Sequence, residues 1–199
     1  MTLSKVAQAI KDAAKAEKAA ALKKPVGRPK KAIEGVEDKL ILALDPSLKS
    51  SGWALVKVSG GVIKLLDCGE IKTNVKQSHG ERLRVIRDSI QKVIKYQRIT
   101  DVVKEKGFSR FPRETQALFK VHGVAEELFA DFTVDEYAVT TIKKEVGGSG
   151  KSTKEEVALG VKQFLKLPEE YKFTSDDASD AVGVALTHII KMKYIRIGG

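Results

Sequence analysis

Four carboxylates in this 199-residue chain stand at positions where they could share a metal ion. Asp45 follows the apolar run Leu40–Leu44, and Glu105 ends a second, shorter strand-like stretch. Asp177 and Asp180 lie near the start of the last helical pattern. Carboxylate oxygens are the ligands that hard divalent cations such as Mg²⁺ prefer. If these acids meet in the folded chain, they can support metal-assisted hydrolysis.

Three of the four acids also have an ordinary structural interpretation. Asp45 opens an Asp-Pro-Ser turn, and aspartate is favoured there because its side chain hydrogen-bonds the nearby main chain. Asp177 and Asp180 share one face of the first turn of a predicted helix, where negative charge is favourable. Small apolar residues continue that face, so at least one of the two acids is expected to point inward. Buried carboxylates are rarely left without a compensating cation, which favours the metal interpretation for the four acids as a set.

The apolar patterns that must position these acids predict an α/β domain. The predicted elements in chain order are strands at 40–44, 52–58 and 62–71, a helix at 80–97, a strand at 101–105, a helix at 112–130, a strand at 134–142, and helices at 153–167 and from 175 onward. Ser59-Gly60-Gly61 is a hairpin signal, and the helix before the fourth strand permits a crossover to a parallel strand. We expect a mixed five-stranded sheet, three antiparallel strands and then parallel strands, flanked by helices.

Charge is distributed unevenly along the chain. The net charge is +10, and residues 1–31 hold nine Lys or Arg against two acids, so +7 lies in the amino-terminal segment. Excess positive charge attracts polyanions, which predicts a nucleic acid partner. Cys68 is the single cysteine, and no stretch approaches the roughly eighteen apolar residues of a membrane span. We expect no membrane association and a reducing compartment such as the cytoplasm.

A short motif lies in this basic segment at residues 23–31. Its core is Gly27-Arg28-Pro29, with lysines on both sides. Two prolines and a glycine exclude a helix, and an extended backbone with an arginine fits the narrow minor groove of A·T-rich DNA. The motif resembles an AT-hook, although a basic linker is the alternative interpretation. The expected DNA contacts are Lys24, Arg28, Lys30 and Lys31. We assign residues 1–38 to a basic arm and residues 39–199 to the folded domain.

The order of the acids and elements over residues 39–192 resembles the RuvC family of Holliday junction resolvases, within the RNase H-like nucleases. Asp45 with the small residues and Gly52 after it is similar to the family's first-strand Asp motif, and Glu105 is similar to its second-strand Glu. The segment Asp177-Ala178-Ser179-Asp180-Ala181 is similar to its terminal Asp-x-x-Asp-Ala helix. Gly148-x-Gly150-x-x-x-Lys154 resembles its glycine loop, whose lysine lies near the scissile phosphate.

The sequence departs from the family pattern at two places. Lys104 precedes Glu105 where the family usually has an apolar residue, a difference that bears on the register of this strand. The basic arm is not part of the common family pattern, and this difference bears on sequence preference.

The resemblance implies a metal-dependent endodeoxyribonuclease that resolves four-way junctions and related branched DNA by paired nicks. Asp45, Glu105, Asp177 and Asp180 would hold two Mg²⁺ ions roughly 4 Å apart, with Mn²⁺ as a substitute. One ion would generate the attacking hydroxide and the other would stabilise the leaving 3′ oxygen. Lys154 would neutralise charge on the phosphate.

The resemblance also implies how DNA and a second subunit are bound. Phe108 matches an aromatic residue that wedges at the strand-exchange point, and Arg110 and Lys151 are further expected DNA contacts. A two-fold homodimer would place two active sites on opposite strands, with the helix at 112–130 as the expected interface.

Two other functions remain open from the sequence. A different RNase H-like nuclease would act on flaps or RNA–DNA hybrids with the same residue types. A non-catalytic architectural DNA-binding protein would use the arm and the basic helix at 80–97 without needing the acids. The segment Gly147–Thr153 looks like the end of a nucleotide phosphate loop, but that motif needs a glycine where Glu145 stands, so we expect no nucleotide cofactor.

Overall fold

A computed structural model describes residues 37–107, 111–168 and 170–195. Within these residues the chain forms five strands and five helices. In chain order they are β1 (Lys39–Asp45), β2 (Ser50–Ser59), β3 (Val62–Lys72), α1 (His79–Ile94), β4 (Asp101–Glu105), α2 (Pro112–Leu128), β5 (Val134–Tyr137), α3 (Val139–Gly147), α4 (Lys154–Leu165) and α5 (Asp176–Lys191).

The strands form one mixed sheet in the order β3-β2-β1-β4-β5, so β1 is the central strand. β1, β2 and β3 are antiparallel neighbours, whereas β4 runs parallel to β1 and β5 runs parallel to β4. The predicted mixed five-stranded sheet is therefore confirmed. Because β1 and β4 are parallel, their carboxyl ends lie side by side at the same end of the sheet.

Helices cover both faces of the sheet and enclose two apolar cores. Successive side chains of a strand point to opposite faces, so Ile41 and Ala43 of β1 face one core while Leu42 and Leu44 face the other. The first core is closed by α3, α4 and α5, and the second by α1 and α2. Burial on both faces explains why β1 is apolar from Leu40 to Leu44 instead of alternating with polar residues.

Helix α5 lies deep in the first core. Every residue from Ala178 to Ile189 is buried except Asp180. Near the other end of α5, His188 is fully buried and its ring contacts the hydroxyl of Tyr137 at 3.2 Å and a carboxylate oxygen of Asp101 at 3.3 Å. The packing of α5 therefore fixes the position of its amino-terminal acids.

The predicted strand at 134–142 is wrong in its second half. β5 ends at Tyr137, and α3 occupies residues 139–147. The run Val139–Ile142 is rich in β-branched residues, which favour strands. In the structure Ile142 and Val146, four residues apart, are buried on one face of the helix, and this burial outweighs the local preference. Gly148, at φ 86°, caps the carboxyl end of α3 in the left-handed conformation.

No helix among the described residues is both long enough and apolar enough to cross a membrane.

Candidate active site

The site lies where β1 and β4 end. Leu44 of β1 pairs with Lys104 of β4. The next residues, Asp45 and Glu105, therefore lie side by side at the carboxyl ends of the two strands. The side chains of Leu44 and Val103, one and two residues before these acids, are still buried in the apolar cores. The sheet register alone therefore brings two of the predicted carboxylates together.

Helix α5 brings the other two acids over β2. The hydroxyl of Ser175 caps the helix by accepting a hydrogen bond from the Ala178 N–H at 3.2 Å. The main chain of Asp177 lies directly on Gly52, the β2 residue paired with Asp45. A Cβ added to Gly52 would overlap the Asp177 carbonyl oxygen and lie 2.7 Å from its carbonyl carbon. The absence of a side chain at position 52 is what lets α5 approach Asp45.

Three of the four predicted acids form a compact cluster. One carboxylate oxygen from each of Asp45, Asp177 and Asp180 lies within 4.8 Å of the others, and all three residues are partly buried. Glu105 is outside this trio, but its charge acts on Asp45, and the charge of Asp180 acts on Glu105. The structure thus brings Asp45, Asp177 and Asp180 together, and the strand register places Glu105 next to Asp45.

Burial and mutual repulsion make this cluster costly to ionise. Burial, followed by the charges of Glu105, Asp180 and Asp177, raises the pKa of Asp45 to about 8. Burial and the charge of Asp180 raise the pKa of Glu105 to about 7. A bound divalent cation would relieve both effects, and the donor set consists of oxygen atoms alone, which suits a hard cation. The carboxylates therefore fit a divalent metal ion.

Lys154 lies beside the cluster as the first residue of α4. The helix begins there because Thr153 and Glu156 form a reciprocal capping box. The Lys154 ammonium nitrogen is 3.0 Å from an Asp180 carboxylate oxygen, and its side chain is 69% exposed. The hydrogen bond to Asp180 and the charge of Asp180 raise the pKa of Lys154, which keeps it cationic. Lys154 can therefore present positive charge to an anion bound at the carboxylates.

The remaining predicted DNA contacts have different outcomes. Lys151 lies exposed in the turn between α3 and α4, three residues before Lys154. The other six lie outside the described residues and stay predictions: Lys24, Arg28, Lys30, Lys31, Phe108 and Arg110.

Lys104, the departure from the family pattern, does not enter the site. Its side chain points to the opposite face of β4 from Glu105, is only 1% exposed, and lies between two acids. Its ammonium nitrogen is 2.8 Å from Glu126 of α2 and 3.0 Å from Glu136 of β5. The buried charge is thus compensated on the reverse face, and the register that directs Glu105 to the cluster is unaffected.

The sequence patterns did not single out two polar residues at the other margin of the site. Glu70 and Lys72 of β3 form an ion pair of 2.7 Å, and Glu70 is level with Gly52 of β2. The sequence shows only that these two residues are two apart at the end of a predicted strand and so share one face of it. Their closeness to α5 depends on the pairing of β3 with β2.

A mixed sheet of this order, with carboxylates at the ends of adjacent strands and on a closing helix, is the arrangement of the RNase H-like nucleases. Comparison with known proteins narrows this class. The model of the RuvC family, crossover junction endodeoxyribonuclease RuvC, matches residues 41–188. Together with the relatives described next, this match shows that the chain belongs to the RuvC family of endodeoxyribonucleases.

The match to this chain covers nearly the whole length of individual relatives. The crossover junction endodeoxyribonuclease RuvC of Ehrlichia chaffeensis is 30% identical over 156 residues, which are 77% of this chain and 97% of the relative. That of Parasynechococcus marenigrum is 35% identical over 149 residues, covering 74% of this chain and 96% of the relative. Among solved structures, Thermus thermophilus RuvC in complex with a Holliday junction substrate has a TM-score of 0.70 at 26% identity, covering 78% of this chain and 95% of that one.

Proposed function

We propose that this chain is a divalent-metal-dependent endonuclease that resolves four-way DNA junctions by paired nicks. The observation that carries the proposal is the cluster of Asp45, Asp177 and Asp180, with carboxylate oxygens within 4.8 Å of one another. Family membership supports the reaction, since the relatives are named crossover junction endodeoxyribonucleases. The similar Thermus thermophilus protein was solved with a Holliday junction substrate, which supports the choice of DNA.

The proposed metal ligands are Asp45, Glu105, Asp177 and Asp180, and the proposed metal is Mg²⁺, two ions per site, with Mn²⁺ as a substitute. The acid-only donor set and the raised pKa of Asp45 support a hard dication. When bound, divalent cations supply Lewis-acid polarisation of the phosphate and activation of water. The protein's part is to hold Asp45 and Glu105 at the ends of two neighbouring strands and the other two carboxylates at the start of α5.

Lys154 is proposed to stabilise the charge that develops on the phosphate. An ammonium group has three donor hydrogens, so Lys154 can keep its bond to Asp180 and still donate to a phosphate oxygen. Its bond to Asp180 and its position at the start of α4 orient the cation before DNA binds. Preorganised charge of this kind acts most strongly where negative charge increases in the transition state.

A two-fold homodimer is proposed as the working form, with α2 at the interface. Exposed aromatic side chains on this side support it: Phe119 on α2 is 56% exposed and Phe111, just before α2, is 64% exposed. Lys151, Phe108, Arg110 and the basic arm of residues 1–38 are proposed as DNA contacts around the nuclease domain of residues 39–199. The named relatives are bacterial, which supports action in a bacterial cytoplasm.

The test is cleavage of matched four-way, three-way, flap and RNA–DNA hybrid substrates with Mg²⁺. The wild-type protein is expected to nick the four-way junction, and Asp45→Asn to bind it without nicking. Asp88→Asn, which changes a partly exposed acid on α1 that pairs with Arg87 and not with the cluster, is the control and should cleave normally. Cleavage preserved in Asp45→Asn would refute the assignment of the site. A preference for flaps or hybrids would refute the assignment of the substrate.

A further inference from the structure

Lys72 is the last residue of β3, at the same end of the sheet as the carboxylate cluster. It pairs in the ladder with Ser50 of β2, two residues from the pairing of Glu70 with Gly52. Position 52 in turn pairs with Asp45. Glu70, Gly52 and Asp45 therefore lie side by side across three neighbouring strands, with Lys72 two residues after Glu70.

Glu70 holds Lys72 on the face of the sheet that α5 covers. The two side chains form an ion pair of 2.7 Å, and the Ser50 hydroxyl donates to the other Glu70 oxygen at 3.3 Å. Hydrogen bonds from Lys72, Ser50 and Ser175 lower the pKa of Glu70, and Ser175 is the residue that caps α5. Lys72 is thus anchored beside the amino end of α5, where Asp177 lies.

The anchored ammonium group remains open to solvent. The Lys72 side chain is 71% exposed, whereas Glu70 is only 20% exposed beneath it. Since an ammonium group has three donor hydrogens, the contact with Glu70 leaves donors for a further acceptor. An anion that approaches the carboxylate cluster from solvent therefore meets Lys72 before it meets Glu70.

Two lysines flank the cluster from opposite sides. Lys154 bonds Asp180 and its charge acts on Glu105 of β4, whereas the charge of Asp177 acts on Lys72 of β3. β3 is two strands away from β1, which corresponds to about 10 Å across the sheet. Because Lys72 approaches the acids from the β3 side and Lys154 from the β4 side, Lys72 is placed for a neighbouring phosphate of the same DNA strand and Lys154 for the scissile one.

We propose that Lys72 binds the DNA backbone at a phosphate next to the scissile one, with Glu70 holding its side chain in place. This inference rests on the proposed function, because it takes the carboxylate cluster as the point of cleavage. Together Lys72 and Lys154 fix a DNA strand at two points, one on each side of the acids. Phosphate contacts position the strand without reading its sequence.

The test measures binding of a four-way junction by the full-length protein in EDTA across a series of salt concentrations, and cleavage in Mg²⁺. For Lys72→Gln we expect weaker binding and a slope of log affinity against log salt that is shallower by about 1.8, because the proposed homodimer carries two copies of Lys72 and each lost phosphate contact changes the slope by about 0.9. KM should rise several-fold while kcat is retained, because the contact exists before and during the reaction. Lys72→Arg should restore the slope.

The matched control is Lys64→Gln. Lys64 is an exposed lysine on the same strand, eight residues from Lys72 and therefore about 27 Å away along β3. For Lys64→Gln, the slope of log affinity against log salt, kcat and KM should equal those of the wild type. An unchanged slope in Lys72→Gln, or a slope change of the same size in Lys64→Gln, would overturn the inference. A wild-type protein that neither binds nor cuts the junction would instead overturn the proposed function itself.

Discussion

Gly52 and the main chain of Asp177 are in direct contact, and the contact leaves no room for a Cβ atom. The atoms that would be overlapped belong to the backbone of α5, so they cannot move aside as a flexible side chain could. The distance between β2 and α5 sets the separation of Asp45 from Asp177. A single missing methyl group therefore decides whether the acid cluster can form.

Gly52→Ala is expected to push the amino end of α5 away from the sheet. Junction cleavage in Mg²⁺ should be lost, and thermal unfolding should shift to lower temperature because an overpacked backbone contact costs about 1–3 kcal/mol. Gly80→Ala is the control, since a Cβ at position 80 on α1 meets no atom within 4 Å. A fully active Gly52→Ala protein would contradict this account of the site.

Stability in the absence of metal is expected to fall as pH rises towards 8. Asp45 has a pKa of about 8 and Glu105 of about 7 in the folded protein, against 3.8 and 4.5 for the free side chains. Between these values the folded chain binds more protons than the unfolded chain, so the free energy of unfolding decreases with rising pH.

Asp45→Asn isolates this effect. The variant should equal the wild type in stability near pH 4 and exceed it increasingly up to pH 8 in EDTA, by a few kcal/mol, since each pKa unit is worth about 1.4 kcal/mol. Urea unfolding at several pH values measures the difference. A difference that does not grow with pH would show that Asp45 ionises normally. Added Mg²⁺ should stabilise the wild type more than the variant.

Lys154→Met is expected to slow the chemical step without unfolding the protein. The side chain is 69% exposed, so its loss should leave the melting temperature nearly unchanged. Removing one preorganised charge next to the reacting group typically lowers kcat by about 10²–10³-fold. Single-turnover cleavage of a four-way junction measures the rate. Lys162→Met, on the same helix, serves for comparison, and an equal loss in both variants would argue against a specific role for Lys154.

Replacing Lys104 by an apolar residue should have little effect on the stability of the fold. Replacing both of its acidic partners at once should lower the stability. Lys104→Met removes a buried charge and leaves two acids that reach solvent, so stability should change by less than about 1 kcal/mol. The double variant Glu126→Gln, Glu136→Gln leaves the buried ammonium uncompensated and should cost about 3 kcal/mol.

Urea unfolding compares the two proteins, with Glu127→Gln, an exposed neighbour on α2, as the control. Equal destabilisation by Lys104→Met and by the double variant would contradict the compensation described here. Cleavage by Lys104→Met should persist, because this side chain faces away from the carboxylates.

Local patterns predicted three antiparallel strands followed by a parallel crossover, whereas the meeting of the four acids was implied by the family resemblance. Asp45 and Glu105 each end an apolar strand, and parallel pairing brings strand ends together whatever the details of the loops. The segment after Tyr137 was mispredicted because Val139–Ile142 favours a strand locally, and only burial of Ile142 and Val146 against α4 and α5 reverses this preference.

Other features of the site depend on contacts between residues distant in sequence. The pairing of Lys104 with Glu126 and Glu136 links three separate elements, and no local pattern distinguishes a compensated lysine from an exposed one. The approach of Lys72 to α5 depends likewise on the ladder between β2 and β3, which contains an irregularity between Leu55 and Val56. Counting residues back from the hairpin turn would therefore place Lys72 on the wrong face.

Helix α5 carries two of the four acids and closes one core of the domain, yet it is the last of the described helices to be synthesised. Domains fold during translation as their segments leave the ribosome, and strands β1 to β5 emerge first. Until α5 has emerged, a nascent chain has Asp45 and Glu105 but lacks Asp177 and Asp180. An unfinished polypeptide that stops before α5 therefore lacks two of the four proposed metal ligands and the helix that closes the first apolar core.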